Sequence, residues 1–260
     1  MKLLKDILYK VNLDLIHGDR DVRISHLCFD SREVEQGSLF IALNGTLSNG
    51  HDFIEMAINR GASAIVCEKL PLNINEVVVY VLVKDSSKAL GHISANFHDN
   101  PSEKIKLVGV TGTNGKTTVA TLLHALYQSL GHKSGLLSTV VNKIGSATYE
   151  ATHTTPDAIR LNGMLREMVD SGCKYCFMEV SSHAVDQQRI SGLNFDTALF
   201  TNISRDHLDY HKTYDAYISA KKKFFDGLCS KSIAIVNIDD KHGSTMLHHT
   251  KAKKKTFALR

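Results

Sequence analysis

The chain has 260 residues, a length that suits one large or two ordinary domains of roughly 100–200 residues each. It holds 31 Lys and Arg against 27 Asp and Glu, and 43% of its residues are hydrophobic, which is typical of a folded globular protein and excludes extensive disorder. The excess positive charge lies in the last ten residues, at Lys251, Lys253, Lys254, Lys255 and Arg260, so nucleic acid binding through a broad basic face is not expected.

The first hundred residues alternate short apolar runs with stretches of helical pattern. Strands are predicted at 24–29, 39–43, 64–67 and 77–83, and helices at 53–60 and 87–97. This alternation predicts a small α/β domain over residues 1–100.

After Pro101 the apolar runs recur with helix-length segments between most of them. They lie at 105–110, 134–137, 175–178, 197–200, 233–236 and 256–259. Repeated strand–helix units predict a doubly wound, mainly parallel sheet with helices on both faces, here over residues 101–260. The fold class predicted for the whole chain is therefore α/β.

The sequence also bears on where the protein works. No apolar stretch approaches the roughly 20 residues of a membrane span, and charged residues interrupt the first ten, where a signal peptide would be apolar. Five cysteines at irregular spacing do not suggest a disulfide framework, and Cys173 and Cys176 are predicted to be buried thiols rather than zinc or redox ligands. We therefore expect a cytoplasmic protein without a membrane partner.

The segment VGVTGTNGKTT, residues 108–118, leads an apolar strand through a glycine-rich turn into a helix predicted at 118–130. Backbone N–H groups in such a turn cradle phosphate oxygens, Lys116 reaches the outer phosphates, and Thr117 offers its hydroxyl to magnesium. The turn is shorter than the common G-x-x-x-x-G-K-[ST] pattern, because Val110 stands where that pattern has its first glycine. The predicted ATP-binding residues are Gly112, Thr113, Asn114, Gly115, Lys116, Thr117 and Thr118.

Two other segments carry candidate metal ligands. Glu179 follows the strand predicted at 175–178, at the edge where open α/β sheets bind ligands. Its carboxylate can complete a magnesium site near Thr117, or it can cap the next turn. His207 and His211 are four residues apart and share a helix face, a spacing that zinc sites also use, although the segment lacks the Glu of the H-E-x-x-H motif.

An amphipathic helix is predicted over residues 214–225, with a lysine on its apolar face. That face holds Tyr214, Tyr217, Ile218, Phe224 and Phe225. Lys221 falls in the middle of the face, whereas Lys222 and Lys223 point to the polar side. A lysine in apolar surroundings must snorkel, pair or lose its charge, so Lys221 is predicted to have a lowered pKa and an available neutral amine.

Several motifs, in this order along the chain, closely resemble those of the Mur ligase family. They are TGTNGKTT at 111–118, HTTPD at 153–157, EVSSHAVDQQR at 179–189 and TNISRDHLDYH at 201–211. DSREVEQGSLFIALNG at 30–45, followed by Gly50 and His51, resembles the uridine-nucleotide-binding domain of that family. The resemblance is strongest to the branch that adds the third residue of the peptidoglycan stem peptide. It implies a ligase that uses ATP to activate UDP-MurNAc-L-Ala-D-Glu as an acyl phosphate and then adds an amino acid, a diamino acid or lysine.

The resemblance also implies roles for individual residues. Two magnesium ions are expected, with Thr117, Glu179, His207 and Lys221 as ligands and with Lys221 carbamylated by CO2. Lys116, Lys221 and His207 are the implied catalytic residues. The uridine end of the substrate is assigned to Ser31, Asn44 and His51, and its pyrophosphate and muramoyl portion to Thr154, Thr155, Ser181, Gln187 and Arg189.

Other interpretations remain open from the sequence. Mur ligases have three domains, and these 260 residues correspond to the first and part of the second, so the C-terminal domain is expected to be absent and the chain alone inactive. A nucleotide-binding or UDP-sugar-binding fragment without turnover is therefore an alternative. Folylpolyglutamate synthetase resembles the central motifs too, but it lacks a separate domain of about 100 residues before the phosphate loop. A monomer is expected.

Overall fold

A computed structural model describes residues 1–45, 48–151, 153–206 and 208–259. The chain divides into two compact units, Met1–Asp99 and Asn100–Arg260. His207, one of the predicted site residues, lies outside the described residues.

The first unit is a small α/β structure. Its strands are β1 (Lys2–Leu3), β2 (Leu15–His17), β3 (Arg23–Ile24), β4 (His26–Cys28), β5 (Ser38–Ile41), β6 (Ala62–Cys67) and β7 (Val79–Leu82). Its helices are α1 (Leu4–Ile7), α2 (Ile54–Asn59) and α3 (Ser86–Phe97), with 3-10 turns at Ser31–Glu33 and Gly50–Phe53. The sheet order is β2-β7-β6-β5-β4, in which β2 is antiparallel to β7 and the other pairs are parallel.

The core of this unit follows from its apolar strands. Phe40, Ile65 and Tyr80 come from three adjacent strands and are fully buried in one cluster. Ala57 of α2 packs into the same cluster, so the helix covers that face of the sheet. The strands predicted here from apolar runs all overlap observed strands, and the run at 24–29 is divided between β3 and β4.

The second unit is larger and contains the phosphate loop segment. Its strands are β8 (Lys106–Thr111), β9 (Ser134–Leu137), β10 (Val141–Ile144), β11 (Ala147–Glu150), β12 (Tyr175–Glu179), β13 (Thr197–Phe200), β14 (Ile233–Asn237) and β15 (Lys253–Phe257). Its helices are α4 (Lys116–Ser129), α5 (Ala158–Asp170), α6 (Ser182–Asp186), α7 (Leu208–His211), α8 (Tyr214–Asp226) and α9 (Gly243–Met246), preceded by a 3-10 turn at Pro101–Glu103.

These strands form one mainly parallel sheet. Over the described residues its order is β11-β10-β9-β12-β8-β13-β14-β15, and only the pairs β9–β10 and β10–β11 are antiparallel. The predicted α/β fold with mainly parallel sheets is thereby confirmed.

Helices cover both faces of this sheet because side chains alternate along each strand. In β12, Cys176 and Met178 join the cluster that contains Leu161 of α5 and Phe225 of α8. Phe177, between them, joins the cluster on the opposite face, where α4 packs. The sheet is thus covered on both sides, and its ligand-binding edge is the one at which the parallel strands end.

Two predictions in this unit were incomplete or wrong. The hairpin β10–β11 was missed, although Gly145 and Ser146 form a two-residue turn with Gly145 at φ +60°. The last strand was predicted at 256–259 but spans Lys253–Phe257. It forms one edge of the sheet and, within the described residues, pairs only with β14, so its exposed lysines need no apolar neighbours and gave no apolar signal.

The described residues include no helix that is both long and apolar enough to cross a membrane. Cys173 and Cys176 are free and buried, and burial raises the pKa of both thiols, as expected for structural cysteines.

Candidate functional site

The strands that carry the predicted motifs end at one edge of the second unit's sheet. Glu179 of β12 is in register with Val110 of β8, and Phe200 of β13 is in register with Thr111. The phosphate loop, the segment after Glu179 and the segment after Phe200 therefore leave the sheet side by side. Residues from three separate motifs meet there because the strands are parallel.

The phosphate loop, residues 112–115, joins β8 to α4. Gly115 is the N-cap of α4 in the left-handed conformation, at φ +85°. The first N–H of the helix to find a partner inside it is that of Val119, which donates to the Gly115 carbonyl. The N–H groups of residues 115–118 are therefore the orphan donors of the helix start, as a phosphate site requires.

The side chain of Lys116 folds back over the phosphate loop. Its Nζ donates to the carbonyl oxygens of Gly112 at 3.1 Å and Thr113 at 2.9 Å. Burial lowers the pKa of Lys116, while Glu179 and Asp206 oppose the shift. A partly desolvated cation above a phosphate loop is suited to polyphosphate, because phosphate oxygens are stronger acceptors than carbonyl groups.

Glu179 lies buried at the end of β12 and is oriented by Thr139. Its Oε1 accepts from the Thr139 N–H at 2.8 Å, and its Oε2 accepts from the Thr139 hydroxyl at 3.2 Å. A carboxylate has about four acceptor positions, so two hydrogen bonds leave Glu179 able to bind a cation. The alternative role of capping the next turn is filled by Ser181, whose Oγ accepts from the Ala184 N–H at the start of α6.

Lys221 is almost fully buried, with 1% of its surface exposed, among aromatic side chains of α8. Its Nζ donates to the Gly112 carbonyl at 2.8 Å and lies 4.6 Å from the centre of the Tyr217 ring. Burial, and secondly the charge of Lys116, lower the pKa of Lys221 to about 7, whereas Asp206 opposes the shift. The two lysines share one acceptor, so their nitrogens meet at the phosphate loop.

The two lysines that follow Lys221 differ from it, as the helix period predicts. Lys222 is half-buried and pairs with Asp226 at 2.6 Å, and the exposed Lys223 lies 3.4 Å from Asp186. Neither reaches the phosphate loop in the bonds of the described residues. Of these three consecutive lysines, Lys221 is the one whose position along α8 places its Nζ at the phosphate loop.

Arg189 is held half-buried by a set of hydrogen bonds. Its Nη1 donates to the Thr155 carbonyl at 2.8 Å, and its Nε and Nη2 both donate to Gln187 Oε1. The Thr155 hydroxyl donates to the Glu179 carbonyl at 2.9 Å and accepts from the Ser181 N–H. Four predicted substrate-binding residues, Thr155, Ser181, Gln187 and Arg189, are thereby linked to the end of β12.

A cavity of about 370 Å³ brings these groups together. It is lined by Lys116, Thr117, Thr139, His153, Thr154, Thr155, Glu179, Ser181, Ser182, His183, Arg189 and Lys221. Residues from the start of α4, from the segments at the ends of β9, β11 and β12, and from the buried face of α8 therefore surround one space. Gln187 and the loop residues Gly112–Gly115 lie outside this lining.

His211 shares with His207 a spacing that zinc sites also use. It is buried, and its Nε2 lies 2.9 Å from the hydroxyl of Ser182. Within the described residues no group of three or more His, Cys, Asp or Glu is placed to hold a metal ion. The zinc interpretation therefore has no support in this part of the chain.

Three predicted uridine-binding residues lie in the first unit, and two of them are joined through Glu68. Asn44 Nδ2 donates to Glu68 Oε2 at 2.6 Å, and the Glu68 N–H donates to His51 Nε2 at 2.8 Å. Since a backbone N–H can only donate, the ring proton of His51 is on Nδ1, which donates to Asn49 Oδ1 at 2.9 Å. Ser31 is buried and its hydroxyl lies 3.4 Å from Met56 Sδ, so the described hydrogen bonds do not join it to the other two.

Sequence reasoning missed three residues that orient the predicted ones. They are Thr139 beside Glu179, Asn202 beside the phosphate loop, and Glu68 beside Asn44. Asn202 lies inside the quoted TNISRDHLDYH motif, which was the available signal. Thr139 and Glu68 carry no local pattern, because each acts across a long sequence separation.

Comparison with known families agrees with this geometry. Residues 110–260 match the Mur ligase middle domain, and residues 23–98 match the Mur ligase family catalytic domain. The chain belongs to the Mur ligase family.

Individual relatives of this Mur ligase chain are similar along nearly its whole length. It is 56% identical over 257 residues to the UDP-N-acetylmuramoyl-L-alanyl-D-glutamate–2,6-diaminopimelate ligase of Cytophaga hutchinsonii. The aligned region covers 98% of the chain and 53% of that protein. It is 51% identical to the ligase of the same name from Bacteroides fragilis, covering 99% of the chain and 53% of that protein. A solved structure of a ligase of this name matches with a TM-score of 0.80 at 27% identity, over 99% of the chain and 52% of the other. The chain thus spans about half the length of these relatives.

Proposed function

We propose that this chain provides the ATP and nucleotide-sugar sites of a ligase that joins 2,6-diaminopimelate to UDP-MurNAc-L-Ala-D-Glu in peptidoglycan synthesis. The observation that carries the proposal is the single cavity lined by Lys116, Thr117, Glu179, Arg189 and Lys221, which combines cations with a buried carboxylate at a phosphate loop. The names of relatives more than 50% identical support diaminopimelate as the amino acid that is added. Residues 1–100 would bind the uridine end through Ser31, Asn44 and His51, and residues 101–260 would bind ATP.

The proposed reaction has two steps. A carboxylate oxygen of the dipeptide attacks the γ-phosphorus of ATP, the bond to the bridging oxygen breaks, and ADP leaves. The amine of the incoming amino acid then attacks the acyl carbon, loses a proton, and displaces phosphate. Lys116 and the N–H groups of residues 115–118 neutralise charge on the phosphates, and Arg189 holds an anionic portion of the substrate together with Thr154, Thr155, Ser181 and Gln187.

Magnesium, when bound, would neutralise phosphate charge during the transfer. The donors fit this hard cation, because Thr117 offers a hydroxyl and Glu179 a buried carboxylate with free acceptor positions. We propose the phosphates of ATP and a carbamate on Lys221 as further oxygen ligands, with His207 near a second ion. The lowered pKa of Lys221 supports carbamate formation, because only the neutral amine combines with CO2.

Cytoplasmic location and a monomeric state belong to the same proposal. The five cysteines are free, and four of them are buried, which is typical of proteins from a reducing compartment.

A ligation assay on the complete gene product tests this function. With ATP, magnesium, UDP-MurNAc-L-Ala-D-Glu and diaminopimelate, we expect ADP, phosphate and the UDP-MurNAc tripeptide in equal amounts. Replacing diaminopimelate with lysine should abolish most of the product. Absence of ligation with either amine, in a preparation that binds both nucleotides, would contradict the ligase proposal and favour a binding protein.

Neighbouring lysines give matched variants for the same assay. Lys221→Ala should lower ligation by at least about 100-fold, because the proposed carbamate ligand of magnesium is lost, and added acetate or formate should restore part of the activity by supplying a carboxylate in its place. Lys222→Ala and Lys223→Ala should stay near wild type, since neither side chain reaches the cavity. An active Lys221→Ala variant beside an inactive Lys222→Ala variant would show that the assignment on α8 is wrong.

A further inference from the structure

Asn202 pairs its side chain with both backbone groups of a single residue of the phosphate loop, Asn114. Its Oδ1 accepts from the Asn114 N–H at 3.0 Å, and its Nδ2 donates to the Asn114 carbonyl at 3.1 Å. The carboxamide thus binds the donor and the acceptor of one residue, as a neighbouring strand would. Two such bonds fix the orientation of the loop backbone as well as its position.

The rest of the Thr201–Asn202 turn supports the same contact. The Asn202 carbonyl accepts from the Thr113 N–H at 2.8 Å, and the Thr201 hydroxyl donates to the Asn114 carbonyl at 2.7 Å. The turn is itself anchored on both sides, because the Thr201 N–H donates to Thr111 of β8 and Asn237 of β14 donates to the Thr201 carbonyl. The loop is therefore tied to two strands of the sheet through this turn.

These bonds divide the N–H groups of the phosphate loop into two sets. Those of Thr113 and Asn114 donate to the carbonyl and to the side chain of Asn202, respectively. Those of residues 115–118 form the start of α4 and remain the donors for an anion. The Asn114 carbonyl and the Gly115 N–H belong to one planar peptide group, so the bond from Asn202 Nδ2 to this carbonyl also orients the first donor of the second set.

We propose that Asn202 is a positioning residue for nucleotide binding, which holds the backbone of Asn114 so that the N–H groups of residues 115–118 converge on the phosphates. The inference rests on the proposed function, because it requires the loop to bind ATP. The loop has fewer residues between its glycines than the common phosphate loop, and the segment that follows β13 contacts it through Thr201 and Asn202.

Amide hydrogen exchange of the 260-residue chain tests the contact without any nucleotide. The Asn114 amide should exchange slowly in the wild type and at least about tenfold faster in Asn202→Ala. Asn194→Ala is the matched control, because Asn194 precedes the other end of β13 and donates to the exposed Glu103. It should leave the Asn114 amide unchanged. Equal Asn114 exchange in the wild type and Asn202→Ala would overturn the proposal.

Calorimetry then tests the consequence for binding. Magnesium ATP should bind Asn202→Ala at least about tenfold more weakly than the wild type, while the affinity for UDP-MurNAc-L-Ala-D-Glu should not change. A structural defect alone would lower both affinities, which would also overturn the proposal. Absence of magnesium ATP binding in the wild type would instead contradict the proposed function, and the exchange result would still stand.

A second substitution keeps the test decisive if Asn202→Ala does not fold. Asn202→Asp has the same shape and keeps the acceptor for the Asn114 N–H, but it loses the donor to the Asn114 carbonyl. It should weaken magnesium ATP binding, whereas Asn194→Asp, with the same added charge, should not. Wild-type affinity in Asn202→Asp would count against the proposal.

Discussion

Lys221 illustrates how one residue can be placed from sequence and explained from structure. The period of α8 predicted it on the apolar face, and the structure buries it beside Tyr217 with its Nζ on the Gly112 carbonyl. Water is excluded there, so the charged ammonium form is disfavoured and the pKa falls to about 7. Burying this amine is unfavourable for the free energy of folding. It lies at the position where the neutral amine is proposed to combine with CO2.

The stability of the protein should therefore depend on pH through Lys221. Between pH 7 and its ordinary value of 10.5, the unfolded chain keeps the lysine proton and the folded chain has lost it. The free energy of unfolding should then rise with pH across this window, by up to about 1.4 kcal/mol per pH unit, relative to Lys221→Met. Below pH 7 both states are protonated and the full penalty remains, so Lys221→Met should be the more stable protein there.

Urea denaturation of both proteins at several pH values checks this dependence. EDTA and CO2-free buffer keep Lys221 as a free amine during the measurement. A stability difference that stays constant from pH 7 to 10.5 would mean that Lys221 has an ordinary pKa in the folded protein.

Predictability at the residue scale depends on whether the signal is local. Lys221 could be predicted because its neighbours on the helix face are a few residues away, and Glu179 because it ends an apolar strand. Thr139 could not, since its contact with Glu179 spans 40 residues of chain. Asn202 contacts the phosphate loop across 88 residues, so the TNISRDHLDYH motif marked its segment without indicating this contact.

At the scale of elements, the prediction succeeded for strands with buried side chains such as β9 and failed for the exposed strands β11 and β15. Strand β9 matches its prediction at both ends, because every residue in it is buried. The exposed strands β11 and β15 were missed or displaced, since backbone pairing defines them and their side chains face solvent. The junction between β8 and α4 was recognisable from its glycines. One of them, Gly112, leaves no space for a Cβ atom.

Gly112 should tolerate no side chain, because the loop approaches the Thr201–Asn202 turn too closely. A Cβ atom at Gly112 would lie 1.9 Å from Thr201 Oγ1 and 2.9 Å from the Asn202 carbonyl oxygen. Gly112→Ala should therefore lower the free energy of unfolding by about 1–3 kcal/mol and weaken magnesium ATP binding at least about tenfold. Urea denaturation and calorimetry measure the two effects.

Gly131 provides the control for backbone conformation. It follows α4 at φ +81°, and a Cβ atom there would meet nothing within 4 Å. Gly131→Ala should cost only the roughly 1 kcal/mol of a left-handed alanine and leave magnesium ATP binding unchanged. Equal losses of ATP affinity in the two variants would disprove the steric explanation.

At the scale of the whole molecule, the candidate residues fall into two units that each have their own core. The first unit holds Asn44 and His51, tied together by Glu68, and the second holds the phosphate loop and its cavity. The alternation of apolar runs with helix-length segments was enough to predict an α/β fold in both parts. The side-chain network around Glu68 was not predictable, because its members lie on separate loops and strands.

Glu68 should control nucleotide-sugar binding without affecting ATP. Its carboxylate accepts from Asn44 Nδ2 at 2.6 Å and from the Ser86 N–H at 2.8 Å, so Glu68→Ala would release the Asn44 side chain, whereas the backbone bond to His51 can persist. We expect the affinity for UDP-MurNAc-L-Ala-D-Glu to fall about tenfold, as for loss of one charge-assisted hydrogen bond, and the affinity for magnesium ATP to stay constant.

Glu76→Ala is the control, because Glu76 is exposed and contacts only His17 among the described bonds of its side chain. Calorimetry with each nucleotide separates the outcomes, and a loss of ATP affinity in Glu68→Ala would show that the two sets of residues do not act independently.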